Sequence, residues 1–383
     1  MSSNMSSSIY IIPNRKPLLD LPPPNPEIRP FHRSLPHYQP TPLVSLPSFA
    51  EELGISHFLL KDESSRLGLP AFKILGASWA TAKAVSKRLN IPISSGDAEL
   101  SLIERLGEAA TTAGLTLYAA TDGNHGRAVA RMAGYLGIKA KIYVPLMVDQ
   151  ETIAKIESEG KHIEVIVWQG DYDQTVVSTK MAVTTHHDGK GLLISDMALD
   201  VEEETPKWVV DGYQTMFEEI DEQITAITEK RITHVLTPLG VGSLCSAACA
   251  HFGRSDGTGM VEIVTVEPVA AACFMSSVDA GKMVSVETGY TICTGMCCGT
   301  VSVTAWPVLK DCVSMAVAVE DTQVEQAMLD LRDLGVSAGP CGAATTAGAR
   351  LLPTLGPNAV IVVLSTEGQR HYEMVDPKSK YVT

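Results

Sequence analysis

The chain has 383 residues, of which 45% are hydrophobic and 19% charged, with 30 glycines. A single core rarely grows past roughly 250–300 residues, so two lobes are expected, and the composition suits a compact α/β protein rather than a disordered or repeat one. The formal charge of −14, with neither sign gathered in a long block, argues against a nucleic-acid partner, which would need a basic surface to neutralise phosphates.

The chain begins Ser-rich and then carries Pro22, Pro23, Pro24, Pro26, Pro30, Pro36, Pro40 and Pro42. This predicts an extended arm over residues 1–45, lying on a core with a frayed tip. The N-terminus lacks a charged region followed by an apolar run, and no stretch approaches the ~18 apolar residues of a membrane span. A soluble, cytoplasmic protein without a membrane partner is expected.

Beyond the arm, strand-like and helix-like segments alternate: His57–Lys61 as strand, Ala77–Leu89 as helix, Leu115–Ala120 as strand and Gly126–Leu136 as helix. The apolar runs Lys141–Pro145, Glu164–Trp168, His234–Thr237, Glu262–Val266 and Ala359–Leu364 read as buried parallel strands, with helical period at Thr152–Glu159 and Val324–Leu334. Strands joined by crossover helices predict an α/β fold with doubly wound, mostly parallel sheets. His186-His187-Asp188 reads as a solvated turn rather than a metal site. The eight cysteines all lie in the C-terminal half without a C-x-x-C pair, and no His stands at ligand spacing from Cys293, Cys297 and Cys298. They read as reduced, mostly buried thiols, and no metal site is expected.

In such sheets ligands sit at the carboxyl ends of strands. Three predicted strand-end turns carry unusual chemistry. Leu239-Gly240-Val241-Gly242-Ser243 opens the predicted helix Leu244–His251, and glycines before a helix N-terminus suit a phosphate, although a plain structural turn fits the same residues. No Walker lysine and no third glycine of a dinucleotide fingerprint follow, which argues against ATP and NAD. Thr121-Asp122-Gly123-Asn124-His125-Gly126 packs a carboxylate, an amide and an imidazole into six residues; the alternative is a turn in which Asp122 or Asn124 caps the next helix. The third turn is Ser365-Thr366-Glu367-Gly368. Separately, Lys73 stands among apolar neighbours in Ala71-Phe72-Lys73-Ile74-Leu75-Gly76, where a desolvated amine can attack an aldehyde, or where a surface lysine can snorkel.

Taken in order, Phe72-Lys73-x-Leu-Gly, Thr121-Asp-Gly-Asn-His-Gly, Gly240-Val-Gly-Ser and Ser365-Thr-Glu-Gly resemble the fold type II, tryptophan-synthase-β-like enzymes that use pyridoxal 5′-phosphate. Within them the chain looks most like diaminopropionate ammonia-lyases, from about Tyr38 to the C-terminus. The resemblance implies a Schiff base between Lys73 and the cofactor, a phosphate cradle at Gly240, Val241, Gly242 and Ser243, and Phe72 beside the cofactor. Asn124 would hold the pyridoxal 3′-oxygen, and Ser365 or Thr366 would face the pyridine nitrogen, where a neutral hydroxyl leaves the ring a weaker electron sink. It further implies a homodimer and a division into the arm, a large cofactor-binding domain of residues 46–80 and 200–383, and a smaller α/β domain of residues 81–199 carrying the asparagine loop.

Diaminopropionate ammonia-lyases resemble one another in two aspartates that are associated with proton removal from opposite enantiomers. Asp122 matches the first. Asp196, in Leu193-Ile-Ser-Asp196-Met-Ala ahead of Trp208-Val-Val-Asp-Gly-Tyr213, is assigned as the second, with a helix cap as its alternative. The implied reaction is an α,β-elimination on a small amino acid, and 2,3-diaminopropionate would yield pyruvate and two ammonias. β-Replacement or a specialised elimination on another amino acid is the competing reading; a binding protein that lost catalysis is a weaker one. Two departures from the family pattern bear on substrate: Thr300 stands where a glutamate follows Cys-Gly, and Gln369-Arg370-His371 follow the Ser-Thr-Glu-Gly motif.

Overall fold

The protein is described from a computed structural model that covers residues 8–13, 15–16, 18, 23–93, 101–185, 189–254 and 260–374. His186-His187-Asp188 lies outside the described residues. The strands are β1 (Ile9–Ile11), β2 (Leu43–Ser45), β3 (His57–Asp62), β4 (Thr116–Ala120), β5 (Lys139–Pro145), β6 (Ile163–Trp168), β7 (Gly191–Leu193), β8 (His234–Pro238), β9 (Glu262–Pro268), β10 (Val313–Val319) and β11 (Val360–Ser365). They form a seven-stranded sheet in the order β1-β10-β9-β8-β11-β3-β2 and a four-stranded sheet in the order β6-β5-β4-β7. The small sheet is parallel throughout; in the large one only the edge strands β1 and β2 run antiparallel to their neighbours.

The chemistry of the strands explains their places. β11, Val-Ile-Val-Val-Leu-Ser, pairs with β3 on one side and β8 on the other, and all six residues are buried. β-Branched residues covered on both faces suit a central parallel strand. β10, Val-Ser-Met-Ala-Val-Ala-Val, is equally buried over its seven residues. The predicted strands all appear as β3, β4, β5, β6, β8, β9 and β11, within a residue or two at their ends, but β6, expected to be buried, is an edge strand of the small sheet with Glu164, Val167 and Trp168 exposed.

The segment expected as an extended arm differs. It contributes both edge strands of the large sheet and a helix, Ile28–Ser34, that buries Ile28, Phe31 and His32. Phe31 packs against Trp79 with ring centroids 5.5 Å apart. Pro30 lies in the first turn of this helix, where an amide hydrogen has no intrahelical partner, so the proline does not oppose the helix.

A buried ionic cluster sets the approach to Lys73. Lys61 at the end of β3, Glu63 and Arg66 in the following loop, and Glu219 in the helix Gln214–Ile224 all have fully buried side chains. Arg66 Nη2 reaches Glu63 Oε1 at 2.6 Å and Glu219 Oε2 at 2.7 Å, and Lys61 Nζ reaches Glu219 Oε2 at 2.9 Å. Thr41 donates to Glu63 at 2.6 Å, and its carbonyl accepts from Lys61 at 2.6 Å. Two cations against two carboxylates, with these extra hydrogen bonds, meet the conditions under which buried charge is tolerated.

Candidate active site

Three strand-end turns converge on one pocket. Thr121–Gly126 follows β4 of the small sheet, while Leu239–Ser243 and Ser365–Gly368 follow β8 and β11 of the large one. The pocket between them is lined by Phe72, Lys73, Asp122, Asn124, Asp196, Gly240, Val241, Gly242, Ser243 and Thr366. Of the residues expected at the site only Ser365 does not line it. Ser365 ends β11, is fully buried, and its Oγ has no hydrogen-bond partner.

Lys73 is the first residue of the helix Lys73–Leu89. That helix packs tightly because Gly76 and Gly212 face each other: a Cβ on Gly212 would stand 2.5 Å from Leu75 O, and one on Gly76 would stand 2.7 Å from the Tyr213 ring. Phe72 packs its ring on Tyr213, with centroids 4.8 Å apart. Lys73 does not snorkel: its side chain is 20% exposed, and Nζ donates to Asp196 Oδ2 at 2.5 Å. Burial pushes the ammonium pKa down, but the Asp196 carboxylate, with smaller help from Tyr213 and Asp122, more than offsets this and holds it above its usual value.

Asp196 lies in the bend after β7, not at a helix end, so it caps nothing. Tyr172 OH donates to its Oδ1 at 3.1 Å, its carbonyl accepts from Ser243 Oγ at 2.5 Å, and His125 Nδ1 faces its Oδ2 at 3.9 Å. Burial opposes its ionisation, yet His125 and Lys73, together with the donors on its oxygens, hold the carboxyl well below the usual range. Asp122 behaves oppositely. Burial pushes it up to about 6, with Lys73 pulling it down and Asp196 pushing it up. The two carboxylates at one lysine therefore differ in how readily they take a proton.

Neither Asp122 nor Asn124 caps the helix Asn124–Leu136; Thr121 does that work, accepting from the N–H groups of Gly123 and Gly126 at 2.9 Å each. Asn124 Nδ2 instead donates to Glu367 Oε2 at 2.7 Å. Glu367 also accepts from the Cys341 amide and from Arg370 Nε, both at 3.1 Å.

The glycine turn has the shape of an anion cradle. Gly242 has φ +96°, and a Cβ there would lie 2.9 Å from Leu309; a Cβ on Gly240 would lie 3.1 Å from Gly295 O and 3.2 Å from Cys298 Sγ. Ser243 opens the helix Ser243–Phe252, whose first N–H groups have no intrahelical partner and whose dipole favours an anion. A glycine-walled phosphate cradle, an amine, an amide and the Thr366 hydroxyl line this pocket, with the unpartnered hydroxyl of Ser365 next to Thr366 in sequence, and these fit the donors that pyridoxal phosphate needs.

Several pocket residues carried no assigned role in the sequence. Tyr172 sits at the start of an ordinary-looking helix, so nothing local marked it; His125 and Glu367 lay inside motifs that were otherwise noticed. Thr300 does not line the pocket. Its Oγ1 donates to Asp173 Oδ2 at 3.0 Å, beside Tyr172 in sequence. Among the described residues no cluster of three or more metal-ligating side chains is found, and no helix is long and apolar enough to cross a membrane.

The whole arrangement has counterparts in known proteins. Residues 34–367 match the family of pyridoxal-phosphate-dependent enzymes. Diaminopropionate ammonia-lyase of Escherichia coli strain K12 is 31% identical over 374 residues, covering 92% of this chain and 91% of the relative, and that of Salmonella typhimurium is 34% identical over 309 residues, covering 79% and 74%. The crystal structure of the Escherichia coli enzyme in complex with an aminoacrylate-PLP azomethine reaction intermediate superposes with a TM-score of 0.79 at 28% identity, covering 94% of this chain and 93% of that one. With the tryptophan-synthase-β-like fold, the cradle and Lys73 in place, the chain belongs to the pyridoxal-phosphate-dependent enzymes, and pyridoxal 5′-phosphate is its cofactor.

Proposed function

We propose that this protein is an ammonia-lyase that carries out α,β-elimination on 2,3-diaminopropionate, converting it with one water to pyruvate and two ammonias. The observation that carries this reading is the pair of carboxylates, Asp122 and Asp196, both acting on Lys73 but with pKa values pushed apart. When bound, pyridoxal phosphate supplies an electron sink for the charge left at Cα. Lys73 would hold it covalently, the Gly240–Ser243 turn would bind its phosphate, Asn124 its 3′-oxygen, and Ser365 or Thr366 its ring nitrogen, with Phe72 at its side.

Asp122, half-ionised near pH 6, is suited to take an α-proton at neutral pH. Asp196 pairs with Lys73 and holds it in place, and with Lys73 in its neutral form the pair is suited to take the α-proton of the opposite enantiomer, the amine accepting it and Asp196 stabilising the ammonium that results. N–H groups at the start of the helix Asn124–Leu136 would orient the α-carboxylate. The names of the relatives support the substrate, since both curated sequences are diaminopropionate ammonia-lyases. The same reading includes a large domain built on the seven-stranded sheet, a smaller one built on the four-stranded sheet, a homodimer and a cytoplasmic location; light scattering and cell fractionation test the last two.

The experiment is borohydride reduction of the purified holoenzyme followed by peptide mapping. The cofactor mass is expected on Lys73, and reduction is expected to abolish ammonia release from 2,3-diaminopropionate. A label on another lysine, or turnover that survives reduction, contradicts the reading.

A further inference from the structure

The catalytic pocket opens past Asp122, Asn124, Gly295 and Glu367 into a second cleft, whose walls add Arg127, Lys155 and Arg370. Three cations thus meet two carboxylates, and one of these, Asp122, is pushed up to about 6. Glu367 is already divided between Asn124, the Cys341 amide and Arg370.

Each cation is paired in a way that leaves it able to serve a ligand. Arg370 Nε donates to Glu367 and its Nη2 to Ile292 O at 2.7 Å, which fixes the guanidinium plane while its Nη1 hydrogens have no partner among the described residues. Arg127 and Arg131 share a single buried carboxylate, Glu159, so one positive charge of that group is uncompensated. Among the described residues Lys155 pairs with Glu151 alone, one turn away and largely exposed, a contact that solvent or a ligand readily replaces.

We infer that this mouth receives a second anionic group of the substrate, so that the enzyme takes β-amino-substituted alanines whose leaving amine carries a carboxylate, in preference to neutral ones. The inference rests on the elimination proposed above. A pre-oriented guanidinium with free N–H groups gives a carboxylate charge-assisted hydrogen bonds in a fixed direction, which a lysine or an amide does not match. The chemistry balances without a further reactant. The α-proton leaves Cα, the Cβ–N bond breaks with its electron pair going to the departing amine, that amine takes up a proton, and water then releases the remaining nitrogen as ammonia. N3-carboxymethyl-2,3-diaminopropionate would give pyruvate, ammonia and glycine.

The test measures kcat/KM of the holoenzyme for three substrates: 2,3-diaminopropionate, its N3-carboxymethyl derivative and the uncharged N3-isobutyl derivative of nearly the same shape. Charge-assisted hydrogen bonds of the usual strength predict a preference of about 10–100-fold for the carboxymethyl over the isobutyl compound. Arg370→Gln is expected to remove most of that preference; the ratio of the two rates is the readout, because loss of the guanidinium also loosens Glu367 and, through it, Asn124, which lowers both rates together. Lys155→Glu, at an exposed position that leaves folding unchanged, is expected to reduce it by about 10-fold. Equal rates for the two derivatives overturn the inference, and so does an Arg370→Gln enzyme impaired alike on both, which would assign Arg370 to the α-carboxylate. If 2,3-diaminopropionate yields pyruvate but no preference exists, only this inference falls; if no substrate yields pyruvate, the elimination falls and takes it along.

Discussion

Lys73 and Asp196 form an ion pair at 2.5 Å at the N-terminus of the helix Lys73–Leu89, the end of a helix where a cation is least favoured. A lysine placed against the dipole and mostly hidden from water is costly unless a carboxylate is supplied, and Asp196 comes from the bend after β7, in a different sheet. Local rules broken in this way mark functional positions. The pair predicts that Asp122→Asn and Asp196→Asn separate the two substrate enantiomers. Each variant is expected to lose about 10²–10⁴-fold in kcat for one enantiomer and far less for the other, as loss of a general base does. Rates with D- and L-2,3-diaminopropionate check this.

The pH profile follows from Asp122. Its pKa is raised by burial to about 6, so the carboxyl is protonated and unable to accept the α-proton below that value, and ionised above it. For the enantiomer that Asp122 serves, kcat/KM is expected to fall about tenfold per pH unit below pH 6 and to be flat just above it. In Asp122→Asn this acid limb disappears.

Gly242→Ala should weaken cofactor binding. The new Cβ would crowd Leu309 at 2.9 Å and would have to adopt φ +96°, and both effects push the turn out of its cradle shape. The expected result is a rise of about tenfold or more in the dissociation constant for pyridoxal phosphate, read from the visible absorbance of the reloaded apoprotein, with the fold retained.

Glu219→Ala tests the ionic cluster that sets the Lys73 loop. Removing one carboxylate leaves Lys61 and Arg66 buried with Glu63 alone. A loss of about 3–5 kcal/mol is expected in chemical denaturation, because an uncompensated buried charge remains. Glu222→Ala, which removes the exposed partner of Arg29, is expected to cost less than about 1 kcal/mol.

Much of the fold was legible because buried parallel strands announce themselves as short β-branched runs, as in Val360–Leu364. β10 escaped notice because Val-Ser-Met-Ala-Val-Ala-Val mixes small and polar residues that only tertiary cover makes strand-like. β1, β2 and β7 are three residues each, too short to show a period. The helix Ile28–Ser34 was hidden by Pro30, which reads as a breaker until its place in the first turn is known. At the site, Lys73, Asp122, Asn124, the glycine turn and Thr366 were legible as motifs and do line one pocket. Tyr172 was not, since its meaning lies in a hydrogen bond to Asp196, and Ser365 and Thr366 are adjacent hydroxyl residues that no local signal separates.

The most direct measurement is the product stoichiometry of the purified holoenzyme with 2,3-diaminopropionate, alongside the Lys73→Ala protein. The account predicts two ammonias for each pyruvate from the wild type and none from Lys73→Ala, at unchanged folding by circular dichroism. A Lys73→Ala protein that still releases pyruvate, or a wild type whose ammonia appears without pyruvate, would contradict it.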